Sequence, residues 1–432
     1  MSPIPELPGI LVPTRSQQEQ WLRSHVAQLC NLDHDRFPGS QPVSFATKDL
    51  DKLEKEDYWV CEKSDGIRVL FVILTNQTGQ SVFIVDRHNS YRELQGFFFP
   101  HHENPLHPLG NTVVDGELVL DVDPLTKRGT LRFLAFDCLV VNDQNVMPKP
   151  LDKRYGRLKE WFHKPYAKML RDHPHVAKDH PFEIKVKDIH MAYHADEVFS
   201  IDIPSLQHGN DGLIYTRVGT PYSPGTDTNI LKWKPPSENS IDFKLVLRFP
   251  PSKEDRKKPD FYAKPLFLLW VWCGDDRGKP KYEEYDTMHV KDDEWERLKQ
   301  SGEQVDDRIV EVHWDPNTSK WRMMRFRDDK PNGNHKTVVE NIIASIADGV
   351  EKDTLLARSN SIRNAWKLRL AQSQVQGGGQ MAHTPQTPQA PTQPMKPWMS
   401  RGPPSIEYHY GPLAPSPWSK VSGPAVIAGM KR

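Results

Sequence analysis

Four cysteines occur in 432 residues, at positions 30, 61, 138 and 273, and none lies within four residues of another. That spacing leaves out a CxxC zinc pair and any disulfide framework, and it fits a reduced, intracellular protein. Charge of one sign is not in excess: 57 Lys and Arg balance 57 Asp and Glu. Binding to nucleic acid through bulk positive charge is thereby excluded, although a local basic groove is not. The longest uninterrupted apolar run is Leu266 to Cys273, far short of the ~20 residues a bilayer needs, so no membrane partner is expected. The N-terminus carries prolines and Glu6 but no basic stretch, unlike a secretory signal. Length alone gives a prior of two or three domains.

Composition divides the chain. Trp21, Leu22, Val26, Leu29 and Cys30 recur at helical spacing within 16–32, which predicts a packed helix. From Asp57 to Val246 short β runs alternate with helical stretches near 153–170, the pattern of an α+β fold. Pro235-Pro236 breaks the chain, and a second β-rich region follows from Ile241 to Phe326, with a solvated loop expected at Ser252 to Lys258. Beyond Asn334 the period becomes helical, marked first by Val338, Val339, Ile342, Ile343 and Ile346 and then by Leu355, Leu356, Ile362 and Trp366. The segment 373–432 holds 11 prolines, one acidic residue and five Lys or Arg. A segment of that composition is expected to be disordered, since it cannot bury enough apolar surface to offset its ordering entropy. Its Trp398, Tyr408, Tyr410 and Trp418 are read as solvated, with docking to a partner as the alternative.

Chemistry is carried by a series of short motifs. Lys63-Ser64-Asp65-Gly66 ends a strand-like run, and Arg68 follows. In order come Asp86-Arg87, Asp115-Gly116-Glu117, Phe136-Asp137, Asp211-Gly212-Leu213-Ile214, Lys232-Trp233-Lys234, Asp242, and Arg325-Phe326-Arg327-Asp328-Asp329-Lys330. Each admits a plain structural reading. Asp115-Gly116 and Asp211-Gly212 could be hairpin turns, Lys232 and Lys234 the wet face of an edge strand, and Phe136 a core residue. Strand alternation could equally aim Asp115 with Glu117, Lys232 with Lys234, and Arg325 with Arg327 at one site.

Taken together and in this order, the motifs resemble the covalent nucleotidyltransferase superfamily: mRNA capping guanylyltransferases and ATP-dependent polynucleotide ligases. The likeness covers about Asp33 to Trp366 and is closest to the fungal, single-activity capping type. The Asp211-Gly212 form, where ligases usually have Glu-Gly, and the Arg-x-Asp-Lys ending at Lys330 favour capping over ligation.

The resemblance implies a nucleotidyltransferase catalytic domain of the ATP-grasp-like, ligase type over 1–240 and an OB-fold β-barrel over 241–333. Helices over 334–372 would pack back on the catalytic domain. It implies transfer of GMP from GTP through a lysyl-GMP intermediate on Lys63 to the 5′-diphosphate end of RNA. Lys232, Lys234 and Asp242 would assist catalysis. Arg68, Arg87, Glu117, Phe136, Asp211, Arg327, Asp329 and Lys330 would bind GTP, with Phe136 stacking on the guanine. Glu117 and Asp211 would serve a Mg²⁺ (or Mn²⁺) ion. The barrel would close over the β- and γ-phosphates and reopen to admit RNA.

Animal capping enzymes carry an N-terminal phosphatase domain with a Cys-x₅-Arg loop. The roughly 45 residues ahead of the β-rich region are too few for one, so a separate RNA 5′-triphosphatase subunit is expected. The phosphorylated C-terminal domain of RNA polymerase II is a second expected partner, and the nucleus the expected location. The rival readings are an ATP-dependent polynucleotide ligase, labelled by ATP in place of GTP, and a non-catalytic polymerase-binding adaptor, which would form no adduct.

Overall fold

The computed structural model describes residues 5–255, 258–315 and 317–376, together with 426–427 and 430–431. Two compact units emerge. The first comprises the chain up to Lys234 and the segment from Lys352; the second runs from Pro235 to Glu351.

The first unit is built on two sheets. The eight-stranded one has at its centre Ile67–Asn76, paired antiparallel with Gly79–Asp86 on one side and Thr112–Val122 on the other. The apolar run Val69 to Leu74 needs both faces covered, and it has both. Val69, Phe71 and Ile73 face one core with Phe133, Leu158 and Phe162. Leu70, Val72 and Leu74 face another with Leu22 and Val26. Those two residues come from the helix Gln17–Leu29, capped by the Ser16 hydroxyl, which accepts the Glu19 N–H. Trp21 does not join that core as expected; it lies outside and stacks on His25. The five-stranded sheet orders His190–Met191, Tyr58–Ser64, Asn210–Arg217, Gly225–Trp233 and Ser40–Ser44.

The second unit is a closed five-stranded barrel. Its strands run around the barrel in the order Ser240–Arg248, Leu266–Asp276, Lys279–Met288, Lys320–Phe326 and Ile309–Asp315. This is the OB-type barrel the resemblance implied. Phe243, Leu245, Leu269, Val310, Val312 and Trp321 fill it. Helix Asp292–Ser301, not anticipated from the sequence, seats Trp295 in this core.

The helices after Asn334 part company. Lys336–Ala347, expected to pack back on the catalytic domain, belongs to the second unit. Val339 is buried in the barrel's core, with Ile342, Ile343 and Ile346 packed against it, so the helix's apolar stripe is covered there. Ser359–Gln376 belongs to the first unit, where Arg358 pairs with Glu54 (2.8 Å) and Arg369 with Asp57 (2.8 Å). Among the described residues no helix is long and apolar enough to cross a membrane. The disorder expected for 373–432, and the aromatic residues named within it, lie outside the described residues. The exceptions are the helix running to Gln376 and a two-residue ladder pairing Val426–Ile427 with Met430–Lys431.

Candidate active site

Lys63 stands one residue from the end of Tyr58–Ser64, the strand that pairs with Asn210–Arg217. The register between these strands shifts between Asn210 and Leu213. The resulting bulge turns Asp211 toward Lys63, whose amine donates to the Asp211 carboxylate at 2.5 Å. Gly212 makes the bulge possible: its φ is +139°, and a Cβ there would meet the Trp233 carbonyl oxygen at 1.9 Å. The Asp211-Gly212 pair is therefore a bulge inside a strand, not a hairpin turn. Asp115-Gly116 is no turn either. It lies within Thr112–Val122, and a Cβ on Gly116 would meet the Phe133 ring at 2.4 Å.

On the lysyl-GMP chemistry that the resemblance implies, Gly212→Ala should slacken the Lys63–Asp211 contact and slow labelling by GTP about tenfold, since small misplacements of a reacting group are costly. Single-turnover labelling would measure it, and an unchanged rate would show that the bulge does not position the lysine.

One strand further across the sheet, Lys232 lies in Gly225–Trp233 and Lys234 follows its end, so the two flank buried Trp233. That strand has a neighbour on each side, so the edge-strand reading fails. Lys234 approaches Asp211 at 4.0 Å. Desolvation, followed by the positive charge of Lys63, holds the Lys232 amine below the ordinary lysine range.

A cavity of roughly 370 Å³ opens beside these groups, and Lys63, Arg68, Arg87, Glu117, Phe136 and Lys232 all line it. Phe136 is half-buried on this wall, whereas Phe133 is sealed in the core. Arg68 is clamped rather than free. Its guanidinium donates twice to Asp115 (3.0 and 2.6 Å) and also to the Ser40 carbonyl, and it lies 5.6 Å from the Phe136 ring centroid. Asp115, fully buried, is thus spent on Arg68 and on the Tyr222 hydroxyl, which donates to it at 2.5 Å. Asp115 and Glu117 do not face one site as a pair; Glu117 alone lines the cavity. Burial raises the Glu117 carboxyl, opposed by Lys187, Lys63 and Arg68.

Residues 242, 325, 327, 329 and 330 gather in the second unit. Asp242 accepts from Arg327 (3.2 Å) and Lys330 (2.5 Å), and Arg327 grips Asp329 through two 2.8 Å bonds. Arg325 and Arg327 share Glu311, at 2.7 and 3.7 Å.

Sequence reading missed Lys187 and Tyr222, which also line the cavity. The Lys187 amine donates to the Glu62 carbonyl (2.8 Å) and pairs with the Glu62 carboxylate (3.1 Å). No motif surrounds either residue, and only their long-range partners reveal them. One Cys-x₅-Arg spacing does occur, Cys30 to Arg36. Cys30 is no phosphatase nucleophile: it is buried after helix Gln17–Leu29, and burial pushes its thiol up to about 12.

Comparison with known proteins gives a consistent picture. Residues 5–236 match the family model described as mRNA capping enzyme, catalytic domain, and residues 238–356 match the mRNA capping enzyme, C-terminal domain. The Neurospora crassa protein named mRNA-capping enzyme subunit alpha is 41% identical over 371 residues, covering 81% of this chain and 90% of that protein. Proteins of the same name from Saccharomyces cerevisiae and Schizosaccharomyces pombe are each 38% identical, covering 85% and 83% of this chain and 88% of each relative.

Proposed function

The chain belongs to the mRNA capping enzyme family, and from that membership we propose that Lys63 is the residue on which it carries GMP. The enzyme is an mRNA guanylyltransferase. The observation that supports the role of Lys63 is its placement: its amine lines a cavity together with Lys232 and the half-buried Phe136 ring, and Lys234 approaches the Asp211 carboxylate that holds it.

In the first step the Lys63 amine attacks the α-phosphorus of GTP, a P–N bond forms and pyrophosphate leaves. In the second, a β-phosphate oxygen of 5′-diphosphate RNA attacks the same phosphorus and the amine leaves. Splitting the transfer in two is the gain of covalent catalysis. Lys232 and Lys234 stabilise charge on the α-phosphate as the bond order changes. Asp211 orients the amine through its 2.5 Å contact. Phe136 offers a flat face to the guanine, and Arg68, held by Asp115, fixes the wall from which that ring projects. In the second unit, Asp242 holds Arg327 and Lys330 together as a phosphate-binding group.

Among the described residues no group of three or more His, Cys, Asp or Glu side chains could cage a metal. Glu117 and Asp211 are hard oxygen donors of the kind and number that suit a Mg²⁺ or Mn²⁺ ion arriving with the nucleotide's phosphates and retaining waters. When bound, such an ion would supply charge neutralisation at the phosphate oxygens. The relatives' designation as an alpha subunit supports a partner subunit, which we assign as an RNA 5′-triphosphatase. Docking to the phosphorylated polymerase tail and residence in the nucleus, where nascent transcripts are made, complete the proposal.

Phe136→Ala should raise KM for GTP about tenfold, the order of one lost base–aromatic stack, while leaving the folded chain intact. Labelling at graded GTP concentrations would measure this, and an unchanged KM would remove Phe136 from the base site.

A further inference from the structure

Beside the nucleotide cavity lies a second, open cleft of roughly 400 Å³, wholly within the first unit; Gln41 and Arg87 line both. Arg23, Arg36 and Arg87 bring three guanidinium groups to it, against the single carboxylate of Asp35. The three come from separate segments: helix Gln17–Leu29, the loop before Ser40, and the turn after Gly79–Asp86.

One residue ties those segments together. Asn89, buried and at φ +62°, donates its carboxamide to the Asp35 carbonyl (2.7 Å), and its own carbonyl accepts from Arg23 (3.2 Å). The turn that carries it is fixed by Asp86, whose carboxylate accepts the His88 and Ser90 N–H groups (2.8 and 3.0 Å). Arg23 is partly offset by Glu19 (2.7 Å), and its Nε has no hydrogen-bond partner. Arg36 and Arg87 are exposed, and neither makes an ion pair among the described contacts. Three guanidinium groups lining one cleft against a single carboxylate give it a positive potential that favours an anion.

We propose that this cleft takes the phosphate backbone of the acceptor RNA, just behind its reacting 5′ end. The inference rests on the guanylyltransferase reading and deepens it by placing the second substrate. The cleft shares a wall with the cavity where the adduct forms, so an RNA lying in it brings its terminal β-phosphate to the Lys63-bound phosphorus. There a P–O bond forms as the P–N bond breaks, and the amine recovers a proton. Arg36 and Arg23 bind successive phosphates, and Arg87 stands at the junction of the two substrates.

The test uses the full chain loaded with labelled GMP and chased with either a diphosphate-ended oligoribonucleotide or ADP. ADP presents the same attacking β-phosphate with no chain behind it. In Arg36→Ala, adduct formation from GTP and the ADP chase should stay within about twofold of the unaltered chain. KM for the RNA should rise about tenfold, and the line of log KM against log salt should flatten by about 0.7, the counterion share of one single-strand phosphate. Arg36→Glu should exceed both effects.

Parallel loss of adduct formation would overturn the inference and assign the cleft to the phosphates of GTP. Normal adduct formation with normal RNA transfer and salt slope would overturn it while leaving Lys63 in place. Absence of any adduct in the unaltered chain would overturn the Lys63 reading and this one with it.

Discussion

Incubated with α-labelled GTP and a divalent cation, then denatured, the unaltered chain should retain label, whereas Lys63→Ala should retain none. The expected effect is complete because no neighbour can substitute. Lys232 lies on another strand and Lys234 just past its end, and a bond to phosphorus needs the attacking atom within about 3–3.5 Å and in line. Lys63→Arg should fail as well, since a guanidinium stays charged and is a poor nucleophile. ATP should not label the unaltered chain. Label from ATP would return the chain to the ligases. Label surviving in Lys63→Ala would remove the nucleophile assigned here, and no label from either nucleotide would favour an adaptor.

Arg154→Met should destabilise the first unit by about 3–5 kcal/mol, the range for breaking a buried ion pair from one side. Arg154 is 2% exposed and donates twice to Asp137 (2.8 Å each), and also to the Lys149 and Thr220 carbonyls (2.6 and 2.9 Å). Its loss strands the buried Asp137 carboxylate and two carbonyls. Asp137 follows Phe136 and lines the nucleotide cavity, so labelling should fall along with stability. The double variant Arg154→Met, Asp137→Leu should recover part of the loss, because it removes the stranded charge. Urea unfolding of the three chains measures this. A double variant no better than the single one would place the damage in the lost carbonyl contacts.

Much of this protein was legible where chemistry or periodicity is written locally. The run from Val69 to Leu74 announced a strand, and Val338 to Ile346 announced a helix. Lys63, Lys232, Lys234 and Asp211 stood out because the short motifs that carry them, taken in order, resemble those of one family. What escaped depends on contacts between distant parts of the chain. Nothing near Lys187 says that its amine meets Glu62, 125 residues away. Nothing near Asp115 says that Arg68 and Tyr222 consume it, which is why it seemed a partner for Glu117. The amphipathic pattern of Lys336–Ala347 showed that one face is covered but not by which core. Trp21 sits at helical spacing with Leu22 and Val26, yet the stripe is narrower than the spacing suggested, and the ring falls outside it.

The first unit is interrupted in sequence: its strands end by Lys234, and its closing helix, Ser359–Gln376, returns only after the barrel. That order has a consequence during synthesis. The Arg358–Glu54 and Arg369–Asp57 contacts cannot form until the ribosome has made the whole second unit and passed it through the exit tunnel. At roughly 5–20 residues per second, about six to twenty-five seconds separate Lys234 from that helix. For that interval helix Asp49–Lys55 is without its covering partner, and the barrel, complete in itself, is free to fold first.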